Sequence, residues 1–159
     1  MYVIDTSSLI EAWRRYYAPD IAPTFWRYLD YYNSLGRIAV IDRVRSEINR
    51  GTGNLSTLIN SLMIESTNHN NILNQYQNIM NWSSRQTQYT FAAKSNFARL
   101  DNADSWIIAY AMSGNHTVVS EEKSAPQARH SIKIPDVCMA IGVVHIDTFE
   151  MMRQLRIRL

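Results

Sequence analysis

Several acidic residues stand where a sheet protein could bring them together. Asp5 closes the apolar run Met1-Tyr2-Val3-Ile4, just before Thr6-Ser7-Ser8. Glu121 and Glu122 follow a second such run, Thr117-Val118-Val119-Ser120. Asp104 opens an apolar helical stretch ahead of that run, and Glu47 lies in a helical stretch after Ile38-Ala39-Val40-Ile41. Carboxylates gathered within a few ångströms raise one another's pKa or bind a cation. A hard divalent ion with oxygen ligands, Mg²⁺ or Mn²⁺, suits such a set. Held there, it can bridge a phosphate oxygen and activate water for in-line attack.

Each acid also has an ordinary structural use. Asp5 can cap the helix after it, as can Thr6 or Ser7. Asp104 or Asp101 can sit at a helix start, favoured by the helix dipole. Glu47 can be a solvated helix residue, and Glu121 and Glu122 loop charges. What favours the chemical reading is the joint pattern, because open α/β sheets bind ligands beyond the carboxyl ends of their strands. Asp101 and Asp136 are further acids that could approach the same crevice, or cap helices instead.

Other chemistries fit less well. His69, His116, His130 and His145 are scattered, without a paired spacing, and Cys138 is the one cysteine. Zinc and an internal disulfide are therefore disfavoured. Cys138 sits in the apolar run Val137–Ile141 and reads as a small buried hydrophobe. There is no glycine-rich phosphate loop. Asp5-Thr6-Ser7 has Ser7 where a phosphoaspartyl phosphatase would carry its second acid.

The elements that must position the acids follow from patterning. Residues 1–5, 38–41, 117–120 and 143–146 read as strands. Helices are expected over Leu9–Tyr17, Thr24–Ser34, from Asp42 to Gly51, over an amphipathic Ala103–Met112, and over Asp147–Leu155. Ile132–Pro135 is expected to be extended, with a helical turn from Asp136. Between Leu55 and Phe97 the chain is rich in Asn, Ser and Gln but keeps helical apolar spacing and aromatics, so it reads as two or three short helices rather than disorder. Strands alternating with helices imply an α/β fold, a mainly parallel central sheet with helices on both faces.

The chain of 159 residues suits one domain over 1–159. With 46% hydrophobic and 19% charged residues it reads as globular, and no run approaches a membrane span. The N-terminus has no signal-like basic and apolar regions, so a cytoplasmic protein is expected. A net charge of +2 does not by itself announce a nucleic-acid binder, but Arg14, Arg15, Arg27, Arg37, Arg43, Arg45 and Arg50 crowd the first third.

Four blocks, in order, resemble the PIN-domain ribonucleases. Val3-Ile4-Asp5-Thr6-Ser7-Ser8-Leu9-Ile10 resembles the family's opening strand, Asp and helix. Val44-Arg45-Ser46-Glu47-Ile48 resembles its second block, with Glu as a metal ligand. Ala103-Asp104-Ser105-Trp106-Ile107-Ile108-Ala109-Tyr110-Ala111 resembles the third. Val118-Val119-Ser120-Glu121-Glu122 resembles the fourth, with Glu in place of the usual Asp. The closing Ile134-Pro135-Asp136-Val137-Cys138 and Gly142-Val143 look like a VapC-like toxin branch.

The resemblance implies a three-layer PIN-like fold and a metal-dependent endoribonuclease, the toxin of a toxin–antitoxin pair. Asp5, Glu47, Asp104 and Glu122 would be the catalytic metal ligands, with Ser7 and Ser120 as supporting polar groups. Glu121 competes with Glu122 for the fourth place. Arg43, Arg45 and Arg50 would hold the RNA backbone. An antitoxin partner and a homodimer are implied too, and no membrane. The aromatic and arginine-rich stretches 13–17 and 25–32 could serve a partner surface or pack internally. The alternatives are a non-catalytic PIN-like module that binds RNA or protein, and a DNA-directed nuclease.

Overall fold

The computed structural model describes residues 1–51 and 53–159. Five strands form one all-parallel sheet: β1 (Tyr2–Ile4), β2 (Ile38–Ile41), β3 (Ile64–Glu65), β4 (Thr117–Val119) and β5 (His145–Ile146). Their spatial order is β3-β2-β1-β4-β5. The three central strands are short apolar runs because both faces of the sheet are covered. All four residues of β2 are buried.

The chain first adds strands on one side of β1 and then crosses to β4 on the other. The order reverses between β1 and β4, so the crevice opens beyond their carboxyl ends. Val3 pairs with Val118 and Ile4 with Val119, which brings Asp5 and Ser120 out of the sheet side by side.

The helices are α1 (Thr6–Glu11), α2 (Pro23–Ser34), α3 (Asp42–Arg50), α4 (Leu55–Asn60), α5 (Asn70–Arg85), α6 (Phe91–Phe97), α7 (Ala103–Gly114), α8 (Ile134–Ile141) and α9 (Thr148–Gln154). A π-helical turn, Ala12–Tyr16, extends α1. The helix expected over Leu9–Tyr17 thus starts at Thr6 and ends in a widened turn, closed by the Tyr17 N–H donating to the Ala12 carbonyl at 2.8 Å. Asp5, not a hydroxyl, is its N-cap, its side chain accepting from the Ser7 N–H.

Helix α7 is not the amphipathic helix that its spacing predicts. Ala103 and every residue from Ser105 to Ala111 are buried. It runs through the middle of the protein, against α3, α5 and α8 and against β1 and β4. A helix covered on all sides needs no polar face. The polar helix α5 covers it, burying Ile72 and Ile79 and stacking Tyr76 on Trp106 at 4.1 Å. Helix α7 also runs through Gly114, and the left-handed residue that ends it is Asn115. A Cβ on Gly114 would run into the His116 imidazole.

Two further expectations are corrected. Ile132–Pro135 does not stay extended: α8 begins at Ile134, and Pro135 occupies its first turn, where no N–H donor is needed. The stretch 61–66, without a strand in the sequence reading, supplies β3, held by Asn33. That buried side chain donates to the Ile38 and Met63 carbonyls and accepts from the Met63 N–H at 2.8 Å.

Candidate acidic site at the sheet switch point

Asp5 leaves β1 directly into the crevice and is 2% exposed. Its Oδ2 accepts from the Ser7 hydroxyl at 2.6 Å, the Ser7 N–H at 3.2 Å and the Ser120 hydroxyl at 3.0 Å. Its Oδ1 is buried with no hydrogen-bond partner. Burial pushes the Asp5 carboxyl above its ordinary range against the pull of the Ser7 hydrogen bond, and the nearby Glu122 charge adds to the rise. Ser7 and Ser120, 3.1 Å apart, therefore hold one carboxylate oxygen and leave the other unpartnered.

Asp104 sits in the first turn of α7, where the side chain of Asn102 accepts its N–H at 3.0 Å. The cap is thus Asn102, neither Asp101 nor Asp104. This leaves the Asp104 carboxyl to the site, where burial, helped by the charges of Asp5, Glu122 and Glu47, pushes its pKa up to about 8.

Glu47 comes from α3 and links three helices. Its Oε2 accepts from the Thr6 hydroxyl at 2.6 Å and its Oε1 from the Ala103 N–H at 2.8 Å. The second bond lies at the start of α7, where the helix dipole favours a carboxylate.

The two neighbouring glutamates separate. Glu121 turns to α9 and accepts from the Thr148 N–H at 3.0 Å. The Glu122 N–H donates to the Ser120 hydroxyl at 3.1 Å, and its Oε2 accepts from the Ile134 N–H at 2.8 Å. Glu122 also lies 3.6 Å from the Lys133 ammonium. Of the pair, only Glu122 is among the charges that raise Asp5 and Asp104.

The donor set is all oxygen and anionic, and it leaves a buried carboxylate oxygen unpartnered. Both features fit a hard cation. Among the described residues, however, no group of three or more His, Cys, Asp or Glu is arranged to hold a metal ion as it stands. Glu47 and Glu122 are each drawn to a backbone N–H at a helix start.

Residues 2–159 match the family described as Domain of unknown function (DUF4411). The chain belongs to the DUF4411 family. Its fold is similar to a chain in the crystal structure of VapBC2 from Rickettsia felis bound to a DNA fragment from their promoter. The likeness covers 92% of this chain and 97% of that one, with a TM-score of 0.55 and 12% identity. That likeness carries the fold, which is the PIN-like α/β arrangement of parallel sheet and flanking helices. No curated protein matches.

In this DUF4411 chain, two of the three arginines expected to hold RNA are occupied. The Arg43 guanidinium lies 4.3 Å above the Trp106 ring and donates to the Leu100 carbonyl at 2.9 Å and the Thr67 hydroxyl at 3.2 Å. Arg50 donates to both the carboxylate and the carbonyl of Asp101, which also pairs with Arg99. Arg45 is partly buried on α3. Arg43→Ala should therefore destabilise the protein by about 1–3 kcal/mol, through lost hydrogen bonds and cation–π contact. Chemical denaturation measures this, and the salt dependence of RNA affinity should stay unchanged; a flatter salt slope would restore Arg43 as a phosphate contact.

Asp101 is thus a tie between α3 and the approach to α7. Asp136 accepts from the Ala125 N–H at 2.9 Å and from the Ser124 hydroxyl, pinning the loop that follows Glu122. Cys138 is 1% exposed, with its thiol pushed up to about 12 by burial, as befits a small core residue. The sequence reading did not single out Lys133 or Lys123. The signal for Lys123 was its place directly after Glu122. Of the aromatic stretches, Tyr17, Phe25 and Trp26 are core, whereas Tyr16 and Tyr31 are about half exposed, at 50% and 55%.

Proposed function

We propose that this chain is a metal-dependent endoribonuclease that hydrolyses RNA phosphodiester bonds. The observation that carries the reading is the buried Asp5 Oδ1 without a partner, beside an Asp104 whose pKa is raised by burial and by the charges of Asp5, Glu122 and Glu47. Asp5 and Asp104 would hold Mg²⁺ or Mn²⁺, with Glu47 and Glu122 flanking it. When bound, such an ion polarises the scissile phosphate and lowers the pKa of an attacking water. Ser7 and Ser120 fix the Asp5 carboxylate by its Oδ2 and leave the buried Oδ1 without a partner. Asp104 must give up its proton for the site to load. Lys133 offsets part of the anionic charge.

The likeness to VapBC2 supports a role as the toxin of a toxin–antitoxin pair, with a cognate antitoxin as partner and a homodimer as its assembly. A cytoplasmic location goes with the toxin reading; no helix among the described residues is long and apolar enough to cross a membrane. A second reading, a non-catalytic module that binds RNA or protein, is favoured by one observation: Glu47 and Glu122 are already spent on backbone N–H groups.

The test is incubation with a mixed-sequence single-stranded RNA and its DNA counterpart, in Mg²⁺, Mn²⁺ or EDTA. Cleavage of RNA that requires the metal is expected. Cleavage of DNA alone would keep the site and change the substrate. Binding without cleavage would give the protein to the second reading.

A further inference from the structure

Beside the acids, a cavity of about 390 Å³ opens between the π-helical turn and the loop after β4. Ser7, Glu11, Arg15, Tyr16, Glu121, Glu122 and Lys123 form its wall. We propose that this cavity seats one nucleotide of a single-stranded RNA, with Tyr16 stacking on its base and Arg15 and Lys123 facing its phosphates. The inference rests on the ribonuclease reading and names how that site would take its substrate.

Three observations lead here. First, the cavity shares Ser7 and Glu122 with the acidic site, so a nucleotide seated in it lies directly beside the acids. Second, the acids would repel a phosphate backbone, and Arg15 and Lys123 are the cations of a wall that also holds Glu11, Glu121 and Glu122. Arg15 has a side chain 70% exposed, with Glu11 on one side at 3.4 Å; a guanidinium carries five N–H donors, so others remain for a phosphate. Lys123 is exposed. Third, the Tyr16 ring is both available and braced. It is 50% exposed, yet it meets Phe149 edge-on at 5.5 Å, and Tyr17 beneath it is stacked on Phe25 at 4.4 Å.

The π-helical turn explains how these groups come together. An α-helix continued from α1 would advance each side chain by one regular step. The wider turn closed by Tyr17 and Ala12 re-aims Arg15 and Tyr16 relative to α1, while burying Ala12 and Tyr17. Such insertions are frequent at functional sites. An aromatic ring flanked by cations is the general solution for holding single strands, since every base offers a π-face.

Binding in EDTA separates this inference from catalysis. Fluorescence anisotropy would compare a labelled oligouridylate with an abasic ribose-phosphate oligomer of the same length. Tyr16→Ala should weaken the oligouridylate about 10-fold and leave the abasic oligomer unchanged, while Tyr16→Phe keeps wild-type affinity. Arg15→Ala and Lys123→Ala should weaken both ligands and each flatten the salt slope by about 0.7. Equal loss on both ligands by Tyr16→Ala, or no loss on either, overturns the stacking subsite. Unchanged salt slopes overturn the phosphate contacts. If the wild-type protein neither binds nor cleaves RNA, the ribonuclease reading falls and this inference with it; if it cleaves RNA and the variants behave as wild type, only this inference falls.

Discussion

Asp5→Asn and Asp104→Asn should each reduce metal-dependent RNA cleavage by about 10³-fold or more, a loss on the order of 4 kcal/mol in transition-state stabilisation. Asparagine keeps the size of the side chain and removes the charge. At Asp5 it retains an oxygen to accept from Ser7 and Ser120, so the turn into α1 should stand. At position 104 the cap of α7 is Asn102 and is untouched. Loss of cleavage in folded variants, checked by circular dichroism, would thus report the site and not the scaffold. The neighbouring pair makes a sharper contrast. Glu122→Gln should lose activity, because Glu122 faces Asp5 and Asp104. Glu121→Gln should lose far less, because its carboxylate is turned away to the Thr148 N–H at the start of α9. Activity retained in Asp5→Asn and Asp104→Asn together would end the proposed chemistry.

The second large effect is on stability. In the unfolded chain Asp104 titrates at its ordinary value of 3.8; in the folded protein burial and its acidic neighbours move it to about 8. Between those values the folded protein binds more protons than the unfolded chain, so stability falls as pH rises. The contribution is present in full below about 3.8 and is gone once pH has passed through about 8. Asp5, raised in the same direction, adds to the trend. Metal-free protein should therefore lose about 5–10 °C in Tm between pH 5 and pH 8, equivalent to roughly 2–3 kcal/mol. Mn²⁺ at pH 8 should restore it, because a ligand that binds only the folded state stabilises it. In Asp104→Asn the pH slope should flatten and the metal-free Tm at pH 8 should rise. Scanning calorimetry in EDTA and in Mn²⁺ measures both. A Tm that is level across this range in EDTA would mean that the acids do not crowd one another.

How much of this was legible in the residues depends on length and on partners. The apolar runs before Asp5, at Ile38–Ile41 and before Ser120 are long enough to read as buried strands, and they fixed the parallel α/β frame. That frame drew attention to Asp5, Glu47, Asp104 and the pair Glu121 and Glu122, and the resemblance narrowed these to four. Two-residue β3 was not readable, because no periodicity exists in two residues and it is tied by Asn33 from a distant helix. Ile132–Pro135 read as extended, since only the start of α8 makes Pro135 harmless in a helix. The π-helical turn leaves no periodic trace over five residues. The surroundings of Arg43 were hidden for a different reason. A sequence shows that Arg43 is on a helix, but not that Trp106, Thr67 and Leu100 will close around it. Choosing between Glu121 and Glu122 likewise required knowing where α8 and α9 begin.

The sheet's outermost strands, β3 and β5, are only two residues long. A partner that recognises a protein by adding a strand of its own needs a row of unpaired backbone donors and acceptors. These margins offer almost none, which also guards against edge-to-edge aggregation. Any protein that regulates this chain must therefore grip it through side chains on its helices and loops. Its specificity will be written in shape and charge rather than in a backbone ladder, and a competitor peptide drawn from such a partner should be sought among helical and irregular segments.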